Sequence, residues 1–170
     1  MNNSDAVSEV IGVMLMLSIT LIIAAVVAVY ATGAASEPRQ PVRADLVASD
    51  VWVNESDNMY QIIFDHRSGD PFNVNRVEVS LVSRENPSVY MLLGNGKERY
   101  IETFDDSQMV LLGDRFKVSI GKYIKDDNKI ALFGGEVITC NEHHLTYRFI
   151  DRTAGAPISS GEVFIRTPPN

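Results

Sequence analysis

The sequence predicts an α+β protein, in which a long N-terminal hydrophobic α-helix precedes an antiparallel β-sandwich or barrel-like head domain. Residues Val10 to Ala35 contain no charged side chain. Beyond Pro41, apolar residues alternate with polar ones in short runs that are bounded by turn residues. We therefore assign four segments to the chain: a leader peptide at 1–6, a hydrophobic helix at 7–35, a linker at 36–42 and a β-rich globular head at 43–167.

The apolar stretch is long enough to span a membrane. A spanning helix needs about 20 apolar residues, whereas the hydrophobic region of a secretory signal needs only about 7–15. Within Val10–Tyr30, only Gly12, Ser18 and Thr20 lessen the apolar character of the run. A helix that is apolar on every side has to be buried, in lipid or against other helices. Gly33 and then Pro38 predict where this helix ends.

By itself the stretch fits a plain membrane anchor, and it fits a cleaved secretory signal less well. The leader Met1–Ala6 lacks the Lys or Arg that a secretory signal usually carries. Charge also bears on orientation, because Arg39 and Arg43 follow the span. The positive-inside rule would weakly place the C-terminal domain in the cytoplasm, and this conflicts with a head outside the cell.

Composition limits the partners of the head. The chain has 170 residues and a formal net charge of −7. An acidic chain disfavours nucleic acid as a partner. Cys140 is the one cysteine of the sequence, so no intramolecular disulfide can form, and we expect it to be a buried small apolar residue.

Alternation of apolar and polar residues predicts the strands of the head. The clearest strands cover residues 60–65, 77–81, 116–120, 145–149 and 163–166. Shorter strands are expected at Asp45–Val53, Val89–Leu93 and Ile130–Phe133. Asn95-Gly96 suits a two-residue hairpin, because both residue types tolerate positive φ. Residues 67–71 are assigned to a turn.

No pattern of catalytic residues is evident. The sequence has no nucleophile elbow, phosphate-binding loop or dinucleotide fingerprint. His66 is expected to be a hydrogen-bonded histidine in a turn, and His143 and His144, adjacent on a strand, would point to opposite faces. We therefore predict no enzyme, no catalytic residue, no cofactor and no metal. Asn54-Glu55-Ser56 is a candidate N-glycosylation sequon, which is meaningful if the head lies outside the cell.

The N-terminal segment resembles that of the archaeal type IV pilins. The match begins at Ala6, and it runs through Val7-Ser8-Glu9-Val10-Ile11-Gly12-Val13 to Leu15-Met16. In the head, residues 66–71 (His-Arg-Ser-Gly-Asp-Pro) are similar to the family's His-x-x-Gly-Asp-Pro turn. Residues 112–114 (Leu-Gly-Asp) and 149–151 (Phe-Ile-Asp) are similar to its later landmarks.

The resemblance implies a mechanism. A prepilin peptidase would cut between Ala6 and Val7, and an assembly ATPase with a membrane platform would then move the subunit from the lipid membrane into a helical filament of identical copies. Glu9 and Gly12 would act in assembly. Glu9 would meet the new amine of a neighbouring subunit, or serve as an interfacial or helix-capping residue. A cut after Ser4 would instead make Glu9 the fifth residue, as in bacterial pilins.

The resemblance therefore identifies the chain as a structural pilin. The precursor would be a single-pass membrane protein with its C-terminal domain outside, and the product a cell-surface filament that serves adhesion. Three alternatives remain open: a membrane-anchored surface adhesin or binding module that never polymerises, a subunit of an archaellum-type motility filament, and a secreted or anchored enzyme with an unusual site.

Overall fold

A computed structural model of the chain describes the backbone of residues 3–31 and 40–168, and the side chains of residues 10–30 and 40–168. The chain divides into two compact units, Met1–Arg39 and Gln40–Asn170. The first unit contains helix α1 (Asn3–Ala31), which is 29 residues long. The helix therefore includes residues that we assign to the leader. The predicted cap at Gly33 and linker residues 36–39 lie outside the described residues.

The second unit is a β-rich domain, which we call the head. In its described part, one 3₁₀ turn at Val74–Arg76 accompanies twelve strands. The strands are β1 (Ala44–Asn54), β2 (Met59–Gly69), β3 (Phe72–Asn73), β4 (Val77–Ser83), β5 (Tyr90–Gly94), β6 (Ile101–Thr103), β7 (Met109–Val110), β8 (Arg115–Ile124), β9 (Lys129–Leu132), β10 (Val137–Thr139), β11 (His144–Asp151) and β12 (Ala156–Phe164).

The strands form two main antiparallel sheets. The first has the order β1-β2-β8-β9-β10, and β6 also pairs with β8. The second has the order β12-β11-β4-β5, and β3 and β7 form a separate small pair. Neither main sheet closes on itself, so the predicted α+β class is confirmed, with an open sandwich rather than a barrel.

The core between the two sheets is aromatic. Phe64 on β2 stacks on Phe116 of β8, with ring centroids 5.5 Å apart. The same ring meets Tyr147 and Phe149 of the opposite sheet edge-on, at 5.0 and 4.9 Å. The Tyr147 hydroxyl also donates to the Leu46 carbonyl at 3.0 Å. Such ring pairs contribute roughly 0.5–1.5 kcal/mol beyond area burial.

The hairpin prediction at Asn95-Gly96 is wrong. Strand β5, which ends at Gly94, belongs to the second sheet, whereas β6 belongs to the first, so the chain crosses between sheets here. Asn95 is buried, and its Oδ1 accepts the backbone N–H groups of Tyr100 and Ile101 at 3.0 and 2.9 Å. Its side chain therefore fixes a wide crossover, and it does not occupy the left-handed region.

The turn predicted at residues 67–71 is also shorter than expected, because β2 continues to Gly69. The strands that the sequence did not indicate, β3, β6, β7 and β10, have two or three residues each. A run of that length is too short to show a period of two.

Candidate assembly segment and the entry of the chain into the head

The apolar span of α1 is Val10–Tyr30, 21 residues with a mean hydropathy of 2.9, and none of it is buried among the described residues. Its two hydroxyl groups are bonded within the helix. Ser18 Oγ donates to the Met14 carbonyl and Thr20 Oγ1 to the Leu17 carbonyl, both at 2.8 Å. Internal hydrogen bonds of this kind allow Ser and Thr to lie in an apolar medium.

Exposure of this span to water would be unfavourable. Large apolar side chains on every side of the helix are exposed, among them Met16 at 71% and Leu21 at 63%. Burial of a Leu, Ile, Val or Met side chain stabilises by about 1.5–3 kcal/mol. The helix therefore needs a cover that surrounds it, such as lipid or other apolar helices.

The predicted processing and assembly residues lie in the first half of α1. Ala6, Val7 and Glu9 have helical backbone, and their side chains lie outside the described residues. A Cβ atom added at Gly12 would meet no atom within 4 Å. This glycine is therefore not required by packing within the described chain, and it leaves a small surface that another helix could approach closely. The roles of all four residues stay predictions.

The chain enters the head through contacts with the predicted His-x-x-Gly-Asp-Pro turn. Gly69 has φ +107°, and a Cβ atom there would lie 2.2 Å from the Arg43 carbonyl oxygen. The Asp70 N–H donates to that oxygen at 2.7 Å. The Asp70 carboxylate accepts the Arg43 N–H at 3.2 Å. Only glycine fits this conformation and this close approach.

A second carboxylate holds the neighbouring residue from the other sheet. Asp151 Oδ2 accepts the Val42 N–H at 3.4 Å, and its Oδ1 accepts the N–H groups of Thr153 and Ala154 at 2.8 and 3.3 Å. Burial of Asp151 opposes ionisation, but these hydrogen bonds outweigh it and lower the pKa of the carboxyl group. We call Val42 and Arg43, with Asp70 and Asp151, the entry clamp.

His66 connects two of the predicted landmarks. It lies on β2 rather than on a turn and is buried, and its Nδ1 is 2.9 Å from the Leu111 carbonyl oxygen. Its backbone pairs with the same loop, because its N–H donates to Asp114 and its carbonyl accepts from Gly113. The hydrogen-bonded histidine is therefore confirmed, and the turn assignment is wrong because β2 is longer than the alternation indicated.

The other two histidines share one carboxylate. The Nδ1 atoms of His143 and His144 lie 3.7 and 2.8 Å from the Glu85 carboxylate. The expectation that the two side chains point to opposite strand faces is therefore wrong, because His143 precedes β11 and only His144 belongs to the strand. The backbone N–H and the ring of His144 lower the pKa of Glu85 to about 2. His143 uses the same Nδ1 toward the Ser83 hydroxyl, at 3.2 Å. In a catalytic triad one ring nitrogen of the histidine binds the serine and the other binds the carboxylate. Here the single Nδ1 atom of His143 faces both Ser83 and Glu85, so the cluster does not have triad geometry.

The remaining candidates are structural in their surroundings. Cys140 is buried, and burial raises the pKa of its thiol to about 11. In the part of the chain that the structure describes, no group of three His, Cys, Asp or Glu side chains is placed to hold a metal ion. Asn54 ends β1, and its Oδ1 accepts the Ser56 N–H at 3.1 Å, beside an exposed turn.

One family model matches the N-terminal part of the chain. Residues 5–46 match the family described as archaeal type IV pilin, N-terminal. The matched region includes the whole apolar span of α1 and the entry-clamp residues Val42 and Arg43. No curated protein matches the chain.

Proposed function

The N-terminal segment of this chain matches the family described as archaeal type IV pilin, N-terminal, and on this premise we propose that the chain is a structural subunit of an archaeal type IV pilus-like filament at the cell surface. Subunits of such filaments are structural and not enzymatic. The single observation that carries the proposal is the 21-residue apolar span, which is exposed on all sides and which the family match covers entirely.

The physics of the span supports polymerisation through α1. Lipid and a bundle of identical apolar helices cover the helix equally well, so transfer between them changes little hydrophobic free energy. A repeated contact that does not close on itself produces a helical fibre. The same helix therefore serves first as a membrane anchor of the precursor and then as the core of the filament.

Processing would release the helix for assembly. In this proposal, prepilin peptidase cuts between Ala6 and Val7, and the assembly ATPase and its membrane platform move the shortened subunit into the filament. Glu9 then lies close to the new amine of a neighbour, where an unpaired carboxylate at the edge of an apolar core would be unfavourable. Gly12 permits close approach of a second helix.

The head would coat the filament outside the cell and serve adhesion. The entry clamp supports this arrangement, because Val42 is held by Asp151 of the second sheet and Arg43 by Asp70, which directly follows β2 of the first sheet. A pull on that segment is therefore distributed to both sheets. Asn54, beside an exposed turn, would carry an N-linked glycan.

Analysis of native material tests the proposal. Filaments sheared from cells should contain this chain with residues 1–6 absent, as measured by intact mass and N-terminal sequencing, and electron microscopy should show a polymer. A chain that keeps Met1 and stays as a single membrane-bound copy would support the non-polymerising adhesin instead. Deletion of the chain should abolish surface attachment and leave swimming intact; loss of swimming would assign it to a motility filament.

A further inference from the structure

A depression of about 430 Å³ lies on the outer face of the first sheet. It forms where β8 changes its pairing partner, because β6 pairs with residues 116–118 of β8 and β9 pairs with residues 121–124. At the change, the Ser119 N–H donates to the Tyr100 carbonyl at 2.8 Å, and the Phe133 N–H donates to the Ile120 carbonyl at 3.1 Å. Tyr100 and Phe133 therefore flank a gap in the sheet.

The floor of the depression is polar. Gln61 and Ser119 lie opposite each other in register, and Gln61 Nε2 donates to the Ser119 hydroxyl at 3.0 Å. Both residues are buried, with Gln61 only 3% exposed, yet both line the depression. Gln61 Oε1 accepts no hydrogen bond from any described residue. A buried acceptor that is left unpaired is unfavourable, and rotation of the Gln61 amide toward the depression would let a ligand donor bind it.

The walls combine rings with carboxylates. Tyr100 meets Phe133 edge-on, with ring centroids 4.9 Å apart. The Tyr100 hydroxyl donates to the Glu98 carboxylate, a bond that raises the pKa of the tyrosine and keeps it neutral. Glu102, also on the wall, pairs with Lys117 at 3.3 Å. The site thus offers apolar ring surface beside oxygen acceptors.

This composition disfavours three classes of ligand. Carboxylates of Asp57, Glu98 and Glu102 outnumber the cation of Arg99, which disfavours an anion. The described carboxylates are not grouped to hold a metal ion. An apolar ligand would leave the Gln61 amide oxygen unpaired. A neutral molecule with several hydroxyl groups and an apolar ring face fits all three constraints.

We propose that this depression, lined by Gln61, Ser119, Tyr100 and Phe133, is a binding site for a short neutral saccharide. Its volume falls in the range of about 300–1,000 Å³ that is usual for small-molecule sites. Rings of Tyr100 and Phe133 pack on the C–H face of the sugar, and its hydroxyls donate to Gln61 and Glu98. The site belongs to the head alone and does not depend on whether the chain polymerises.

Two sources could supply the saccharide. Asn54 lies at the rim of the same depression, so a glycan attached to it would have the site within reach. A saccharide on another molecule would enter through the open side. The chemistry of the occupant is the same in both cases.

Binding to the full chain tests the proposal. The protein is produced in a host that does not glycosylate it and is held in nanodiscs, because many detergents carry sugar headgroups. Glucose, mannose, N-acetylglucosamine and maltose at millimolar concentration serve as probes, with saturation-transfer NMR as the readout. Tyr100→Ala and Glu98→Gln are the test variants. Tyr90→Ala is the control for removal of a tyrosine outside the depression, since Tyr90 is an exposed tyrosine on β5 of the other sheet. Tyr100 is half-buried, so thermal unfolding of each variant is measured beside binding.

At least one probe should bind the wild-type chain. Tyr100→Ala should lower the affinity for that probe about tenfold, which corresponds to the loss of one aromatic contact. Glu98→Gln, an exposed change that leaves folding intact, should weaken it by a smaller factor. Tyr90→Ala should bind as the wild type does. Absence of binding for every probe, or equal effects of Tyr90→Ala and Tyr100→Ala, would overturn the proposal.

A second comparison identifies the source. Native glycosylated protein is measured beside native protein that carries Ser56→Ala, which removes the sequon and leaves the rim residue Asn54 in place. Weaker probe binding in the glycosylated form would show that the glycan on Asn54 occupies the site. Equal binding in the two forms would show that the site is open to a saccharide on another molecule. Both results support a saccharide site, and failure of filament formation would affect neither.

Discussion

Asp70 binds both backbone groups of Arg43. The Asp70 N–H donates to the Arg43 carbonyl oxygen at 2.7 Å, and the Asp70 carboxylate accepts the Arg43 N–H at 3.2 Å. Arg43 directly precedes β1, so the contact fixes the place at which the chain enters the head. With Asp151 bonded to Val42, the two sheets hold consecutive residues. The predicted Gly-Asp-Pro landmark therefore has a structural purpose, which is to anchor the segment that leads to α1.

Replacement of Gly69 tests this anchor. Gly69→Ala should destabilise the head by roughly 2–4 kcal/mol. The added Cβ atom would clash with the Arg43 carbonyl oxygen, and alanine is strained at the positive φ of this position. Gly135→Ala is the control, since Gly135 also has positive φ but a Cβ atom there meets nothing within 4 Å. Thermal unfolding of the full chain is the measurement. Equal losses in the two variants would mean that the close approach to Arg43 is unimportant.

The Glu85 carboxylate predicts a dependence of stability on acid. Hydrogen bonds from the backbone and ring of His144 lower its pKa from the usual 4.5 to about 2. The pKa of Glu85 is lower in the folded state than in the unfolded state. The ionised carboxylate therefore contributes its full stabilisation of the fold above about pH 4.5, and this stabilisation is lost as the pH falls toward 2. Glu85→Gln should therefore flatten the fall of melting temperature in that window. Glu55→Gln, in an exposed turn, is the control and should leave the slope unchanged.

Packing at Phe64 should dominate the stability of the head. Its ring is fully buried and contacts rings of both main sheets. Phe64→Ala should lower the free energy of unfolding by about 3–5 kcal/mol, because it leaves a cavity. Phe164→Ala, whose side chain is 41% exposed, should lower it much less. Comparable losses measured by denaturant unfolding would contradict a core between the two sheets.

A charge in the middle of the span should block its burial. Leu21→Arg places a cation where translocon scales assign a penalty of about 2.5–3.5 kcal/mol. We expect loss of the protein from the membrane fraction and from filaments. Leu92→Arg, at an exposed leucine of the head, should be tolerated. Normal filaments formed by the Leu21 variant would rule out a buried span.

Glu9 should matter after processing and Asp5 should not. Glu9→Ala is expected to reduce filament yield while membrane insertion stays intact, since only the assembled state requires the carboxylate to find a partner. Asp5→Ala changes a residue that a cut between Ala6 and Val7 would remove, so its filaments should be normal when N-terminal sequencing finds Val7 first. Quantification of sheared filaments by immunoblot compares the two. An unchanged yield for the Glu9 variant would exclude a role in pairing.

Local patterns allowed much of this fold to be predicted. The charge-free run indicated α1, and alternation indicated long strands such as β2, β8 and β11, because burial of one strand face repeats every second residue. The crossover at Asn95 could not be predicted in the same way. The Asn-Gly pair is a local hairpin signal, and the buried hydrogen bonds of Asn95 to residues 100 and 101 override it.

The entry clamp and the depression could not be predicted from the sequence in this way. Asp151 and Val42 are 109 residues apart, and neither has a local feature that indicates their hydrogen bond. Gln61 occupies an ordinary polar position of an alternating strand. Only the change of partner along β8 makes it the floor of a depression. The apolar span, by contrast, is a local property, so the candidate assembly segment could be identified from the residues alone.

We propose that copies of this chain cover one another's apolar spans in a filament. Cryo-electron microscopy of filaments sheared from the native cells is the decisive measurement. We expect a polymer whose central density is a bundle of helices, each of which begins at Val7 and includes Val10–Tyr30. Cells that express the chain but yield no such polymer, or a polymer in which these helices lie outside the core, would contradict it.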